Sequence, residues 1–259
     1  MRLFRIVRLL FVYDGTPSPT ATNGGSAQSQ SPPSPSTAQA PPGEPPIPER
    51  AMQLHAQGRK HGETGEFELA LRFFHEAQQA APTWPLPLYD MGLTFLYMKA
   101  DAKALETFTR LDAVAPQGLS DSKRMLDSLR SEQNGRVPKG TLREFLQVMR
   151  LKSLEDIRKR LEAMTQKAPA FVPAWAELAR ISSEKPQEAE RLADKALSLG
   201  PDSGTRAELL IYKATLLWRR GGAKEARQQL QAIRDDPTTP PNAAAEAREL
   251  LGIPEGVTP

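Results

Sequence analysis

Residues 88–95 read LYDMGLTF. Leu88, Met91 and Phe95 recur at helical spacing among good helix formers, yet Gly92 stands in the interior, where it costs about 1 kcal/mol relative to alanine. A glycine kept at that cost predicts a contact: another element must come close enough to offset it.

Thirty-four residues upstream of Gly92 is Gly58, and the match extends in both directions. Leu54 pairs with Leu88, His61 with Phe95, Ala70 with Ala104, Phe74 with Phe108, Ala77 with Leu111 and Pro82 with Pro116. So many coincidences at one offset make a repeat. The pattern resembles the tetratricopeptide repeat (TPR) family, whose hairpins pair a small residue in the first helix with one in the second and end on a proline. The resemblance implies an all-α chain, an α-solenoid of TPR-like hairpins, in which Gly92 closes on Ala104. A bulkier residue at Gly92 should wedge the hairpin open.

The same pattern continues more loosely. The segment AWAELARISSEKPQEAERLADKALSLGP places Ala179 in a first helix, Ala189 in a second and Pro201 at its end. A later one, LLIYKATLLWRRGGAKEARQQLQAIRDDP, places Ala214 and Ala226 alike, with Gly221 in the turn. Before them, Thr141 with Glu144 has the spacing of a capping box, and Ser153 with Asp156 marks a second helix start. These segments form a degenerate block over 138–252, repeats 3–5, closed by a capping helix after Pro241, with 253–259 as a tail. Repeats 1–2 occupy 49–118. Between the blocks, Met125, Leu126 and Leu129 predict one unpaired connecting helix within 119–137, stopped at Asn134 and Gly135.

Composition explains the rest of the chain. Hydrophobic residues make up 39% of 259 residues, enough for a core and too few for a membrane bundle. Residues 15–48 contain almost no large apolar side chains, so they cannot offset the entropy of ordering and read as a disordered Pro/Ser/Thr-rich tether. Residues 1–14 form a short basic segment: on a helix, Leu3, Phe4, Ile6, Val7, Leu10 and Phe11 oppose Arg2, Arg5 and Arg8. That segment is too short to span a bilayer. It leaves three readings open: an unimportant tail or misassigned start, peripheral membrane contact through residues 2–13, or an atypical export signal. The expected location is cytoplasmic, with membrane association or export open.

The family resemblance implies a role in protein binding, because first helices of successive repeats line a concave groove for an extended peptide or a partner helix. Helix phase proposes groove residues. They are Met52, His55, Ala56 and Arg59 in the first repeat and Leu86, Tyr89, Asp90, Leu93, Leu96 and Tyr97 in the second. The fifth adds Glu208, Ile211, Thr215, Trp218 and Arg219. Family members that grip chaperone C-termini use a Lys and Asn clamp, but here His55, Arg59 and Asp90 occupy those positions. A carboxylate at Asp90 would repel a terminal carboxylate, so no such clamp is expected.

Catalysis has little to stand on. With no cysteine there is no thiolate nucleophile and no cysteine metal site. His55, His61 and His75 share the first repeat, but His55 and His61 point about 120° apart on an ideal helix. No phosphate loop, dinucleotide fingerprint or HExxH motif is present, so the chain reads as a non-enzymatic adaptor without cofactor or metal. Net charge is only +3. Arg143, Arg150, Lys152, Arg158, Lys159 and Arg160 cluster in repeat 3 with Arg219 and Arg220 beyond. Interleaved Glu144, Glu155, Asp156 and Glu162 make nucleic acid a secondary alternative, alongside a membrane-tethered assembly factor.

Overall fold

A computed structural model describes residues 46–254. The basic segment 1–14, nearly all of the predicted tether and residues 255–259 lie outside the described residues. Twelve helices and no strand occur among the described residues: α1 (Glu49–Glu63), α2 (Phe67–Ala80), α3 (Pro85–Tyr97), α4 (Asp101–Val114), α5 (Ser122–Gln133), α6 (Thr141–Val148), α7 (Leu154–Lys167), α8 (Val172–Ile181), α9 (Pro186–Ser198), α10 (Ser203–Arg219), α11 (Ala223–Asp235) and α12 (Pro241–Leu251). None is long and apolar enough to cross a membrane.

Local sequence sets these boundaries. Proline stands in the first turn of α3, α8, α9 and α12, where its missing N–H costs nothing. Ser153 caps α7 by accepting from the Asp156 amide at 3.2 Å, and Asp202 caps α10 through Thr205 at 3.0 Å. Pro82 and Pro116 follow the last residues of the α2 and α4 caps. The left-handed position of the hairpin turn is Gly65 in the first repeat (φ 80°) and Gly221 in the fifth (φ 95°). In the second repeat it is Lys99 (φ 59°), 34 residues after Gly65.

The chain divides into two compact units between Ala81 and Pro82. In the first, α1 and α2 form a hairpin with Ala51, Ala70, Phe74 and Ala77 fully buried. A Cβ at Gly58 would stand 2.5 Å from Phe74 Cε1 and 3.2 Å from the Ala70 carbonyl oxygen. The second unit contains the α3–α4, α8–α9 and α10–α11 hairpins, with α12 laid on α10 and α11. Ala104, Ala179, Ala189, Ala214 and Ala226 are each fully buried there, and Pro201 follows α9. These are tandem TPR-type hairpins.

Two expectations are corrected by the packing. The nearest neighbour of Gly92 is the Phe108 ring, whose Cζ lies 2.7 Å from the position that a Cβ would take, and not Ala104. The aromatic residue one turn further along α4 fills the space that the small side chain vacates, as Phe74 does over Gly58. The capping box at Thr141 is also absent: Gly140 is the N-cap, the Thr141 hydroxyl donates to the Pro138 carbonyl, and Glu144 pairs with Lys167.

The connecting helix is part of the second unit's interior, packed against α4, α6 and α10. Met125, Leu126 and Leu129 are 2–3% exposed. Glu132 reaches forward so that its carboxylate accepts from the Gly140 amide at 2.7 Å and the Leu142 amide at 2.6 Å, capping α6 from the preceding helix.

Candidate partner-binding surface

Of the first helices in the second unit, α8 and α10 lie side by side. Helix α10 packs against α8 and α12, and α5 lies across its N-terminal half. Arg124, itself buried, donates through Nε to Thr205 Oγ1 at 3.3 Å and through a terminal nitrogen to Glu208 Oε2 at 2.5 Å. Arg136 donates to the Leu199 carbonyl at 2.5 Å. Glu208 is one of the proposed groove residues, and its partner is a side chain of the same chain. A fully desolvated guanidinium would be costly alone, and the carboxylates of Glu208, Asp121, Glu177 and Asp202 hold it ionised. Burial pushes the Glu208 carboxyl up, with Arg124 opposing.

The structure separates the proposed groove residues. Tyr89 is 5% exposed: its hydroxyl donates to Asp121 at 2.7 Å, and its ring meets the edge of Phe108 at 6.3 Å. Burial, and then the Asp121 charge, push its phenol up. Tyr89 therefore pins the N-terminus of α5 and is not an open anchor. Asp90, Leu93 and Leu96 are buried too, because α3 is enclosed on most sides. His55 is buried with its ring 5.6 Å from that of Phe74. Tyr97 is half-buried at the end of α3.

Trp218 is corrected in the same way. It is 4% exposed within the core made by α10, α11 and α12, and the Arg227 guanidinium stacks 4.7 Å above its ring. Helix α12 covers the face that the tryptophan would offer, and Ile211 is buried beside it. Exposed members of the proposed set are Met52, Ala56 and Arg59 on α1, Leu86 on α3 and Arg219 on α10.

Sequence reasoning missed the polar face of α5. Arg124, Ser128 and Glu132 recur every four residues and are all buried. A stripe of that kind beside Met125 and Leu129 marks a helix enclosed on more than one side.

The histidines and basic residues are spread among separate contacts. His61 stacks on Phe73 at 5.2 Å and meets Glu66 at 2.6 Å, and His75 meets Gln79 at 3.0 Å. No cluster of three metal-ligating side chains occurs among the described residues. In repeat 3, Arg143 pairs with Asp101 at 3.1 Å, and Arg158 donates to Ser182 and to the Ile181 carbonyl. Arg220 pairs with Glu190 at 2.9 Å.

No protein-family model and no curated protein matches the chain. Among solved structures it is similar to MamA, residues 41 to the end, from Desulfovibrio magneticus RS-1, with 16% identity over 80% of this chain and 100% of that one, at a TM-score of 0.35. It is also similar to TTC0263, a thermophilic TPR protein of Thermus thermophilus, with 18% identity over 78% and 100% and a TM-score of 0.35. A third is YrrB, a TPR protein with an unusual peptide-binding site, with 13% identity over 77% and 92% and a TM-score of 0.34. All three pair low identity with coverage of nearly their whole length. The TPR-type assignment of this chain rests on its own hairpins, on Gly58 under Phe74 and Gly92 under Phe108 at the same offset.

Proposed function

We propose that this protein is a non-enzymatic scaffold whose first-helix faces bind a partner helix or extended peptide. The observation that carries the reading is internal: the α10 face already holds a helix, α5, through Arg124, Thr205 and Glu208. A preformed face of this kind loses little entropy on binding, so a modest contact suffices for recognition. In the second unit that face is taken by α5, which directs the search for an accessible surface to Met52, Ala56 and Arg59 on α1. Arg59 supplies a charged fork on the same face of α1 as the apolar Met52, two turns away, an arrangement suited to a peptide that carries a carboxylate and an aliphatic residue along one face.

The test is affinity purification of the full chain from its native cell, with cross-linking to locate the contact. Wild type is compared with Met52→Glu/Arg59→Glu, a surface variant expected to keep its helicity. Loss of a partner cross-linked to α1 in wild type supports the reading. An unchanged partner set, with cross-links elsewhere, removes α1 as the binding face. The basic residues of repeat 3 give little support to nucleic-acid binding, since Arg143 and Arg158 are engaged within the protein.

A further inference from the structure

The turn between α6 and α7 ends in an apolar tip. Leu151 is 39% exposed, and Leu154, the first residue of α7, is 56% exposed. The other exposed large hydrophobics, Met52, Leu86 and Val114, stand singly along the chain, whereas these two flank one turn. Exposed Arg150 and Lys152 stand on either side of Leu151. Ser153 caps α7, so the tip is held in shape by the helix it starts. Glu155 and Asp156 follow in the first turn of α7, with Arg158, Lys159 and Arg160 one turn later, so cations outnumber carboxylates five to two over residues 150–160, and four to two among the exposed ones.

We infer that this tip docks on an anionic lipid bilayer, with Leu151 and Leu154 entering the interface and Arg150 and Lys152 meeting lipid phosphates. Leucines flanked by Lys and Arg are the composition of interfacial anchors, in which apolar burial and attraction to anionic headgroups act together. Both leucines are exposed beside one turn, an arrangement that suits a flat lipid surface. A single small anchor holds a protein only reversibly, and stable attachment takes two. Residues 2–13 carry the same chemistry by sequence, with Arg2, Arg5 and Arg8 beside Leu3, Phe4 and Ile6.

The experiment uses the full chain, sedimented with vesicles of phosphatidylcholine alone or with phosphatidylglycerol added. Wild type should bind the anionic vesicles selectively. Leu151→Glu/Leu154→Glu should weaken partitioning about tenfold or more, and Arg150→Glu/Lys152→Glu should remove the preference for anionic lipid. A gentler Leu151→Ser/Leu154→Ser chain, helical by circular dichroism, should show an intermediate loss. With Arg2, Arg5 and Arg8 changed to Glu, a leucine-dependent fraction should remain. The proposal is overturned if the leucine variants bind vesicles as wild type does. It also fails if those variants change self-association by light scattering while lipid binding is unaltered, an outcome that makes the tip a protein contact. Partner capture through α1 is unaffected by either result, so the scaffold reading is tested separately.

Discussion

A methyl group added at Gly92 would stand 2.7 Å from Phe108 Cζ, and one at Gly58 would stand 2.5 Å from Phe74 Cε1. Both rings are buried, so moving either one aside disturbs the packing around it. Gly92→Ala should therefore destabilise the protein by about 2 kcal/mol, even though alanine is favoured over glycine in a helix by about 1 kcal/mol. Urea denaturation checks this, and Gly92→Ala/Phe108→Leu should recover part of the loss. Lys99 offers the opposite case. It occupies the left-handed position that Gly65 fills one repeat earlier, so Lys99→Gly should stabilise by roughly 0.5 kcal/mol, read as a rise in Tm. Both glycines were legible in the sequence because of their common offset. Their contact was not: repeat spacing says which turns face each other, while the side chain that fills the gap depends on direction and size. Tyr89 and Trp218 failed as groove anchors for a related reason. Helix phase gives the side of the helix a residue lies on, and only tertiary packing says what covers that side.

At the scale of elements, the connecting helix matters most. Its existence, and its ends to within about two residues, could be read from apolar spacing and stop signals, a usual margin for helix boundaries. Its place inside the second unit was hidden, because Arg124 meets residues 81 and 84 positions away. Arg124→Ala leaves the Glu208 carboxylate without its cation and should cost about 3 kcal/mol. Arg124→Met/Glu208→Leu should come within about 1 kcal/mol of wild type, because an apolar pair of similar volume removes the desolvation cost together with the attraction. A thermal double-mutant cycle measures the coupling. Helix α12 can be tested by shortening. Ending the chain after Thr239 uncovers Trp218, Leu230 and Ile233, so tryptophan emission should shift to the red and the protein should aggregate on gentle warming.

For the whole molecule, the charged interior predicts a pH dependence. Burial is the first cause of raised carboxyl pKa values at Glu208, Glu246 and Asp127. A raised folded-state pKa means that the folded protein binds more protons than the unfolded chain across the window above the ordinary values of 4.5 for Glu and 3.8 for Asp. Stability contributed by these groups is thus present below that window and lost as pH rises through it. Wild type should lose stability relative to Glu208→Gln over that interval, measured by the denaturation midpoint at successive pH values. Glu66, Asp235 and Asp236, lowered by hydrogen bonds at exposed positions, oppose the trend only weakly.

The carboxylate of Glu132 spans two amides beyond its own helix, at Gly140 and Leu142, while Arg136 between them reaches the Leu199 carbonyl. The intervening segment is mostly exposed and carries Asn134, Gly135 and Pro138, the composition of a loop that tolerates changes of length. Here it does not have that freedom. One added residue in 134–139 would draw the clamp off both amides, so it should cost more than the same insertion at Gly221, where the turn is closed by backbone bonds to the Trp218 and Leu217 carbonyls. Gain and loss of residues among relatives of this chain should accordingly avoid the α5–α6 loop and collect at the turn before α11.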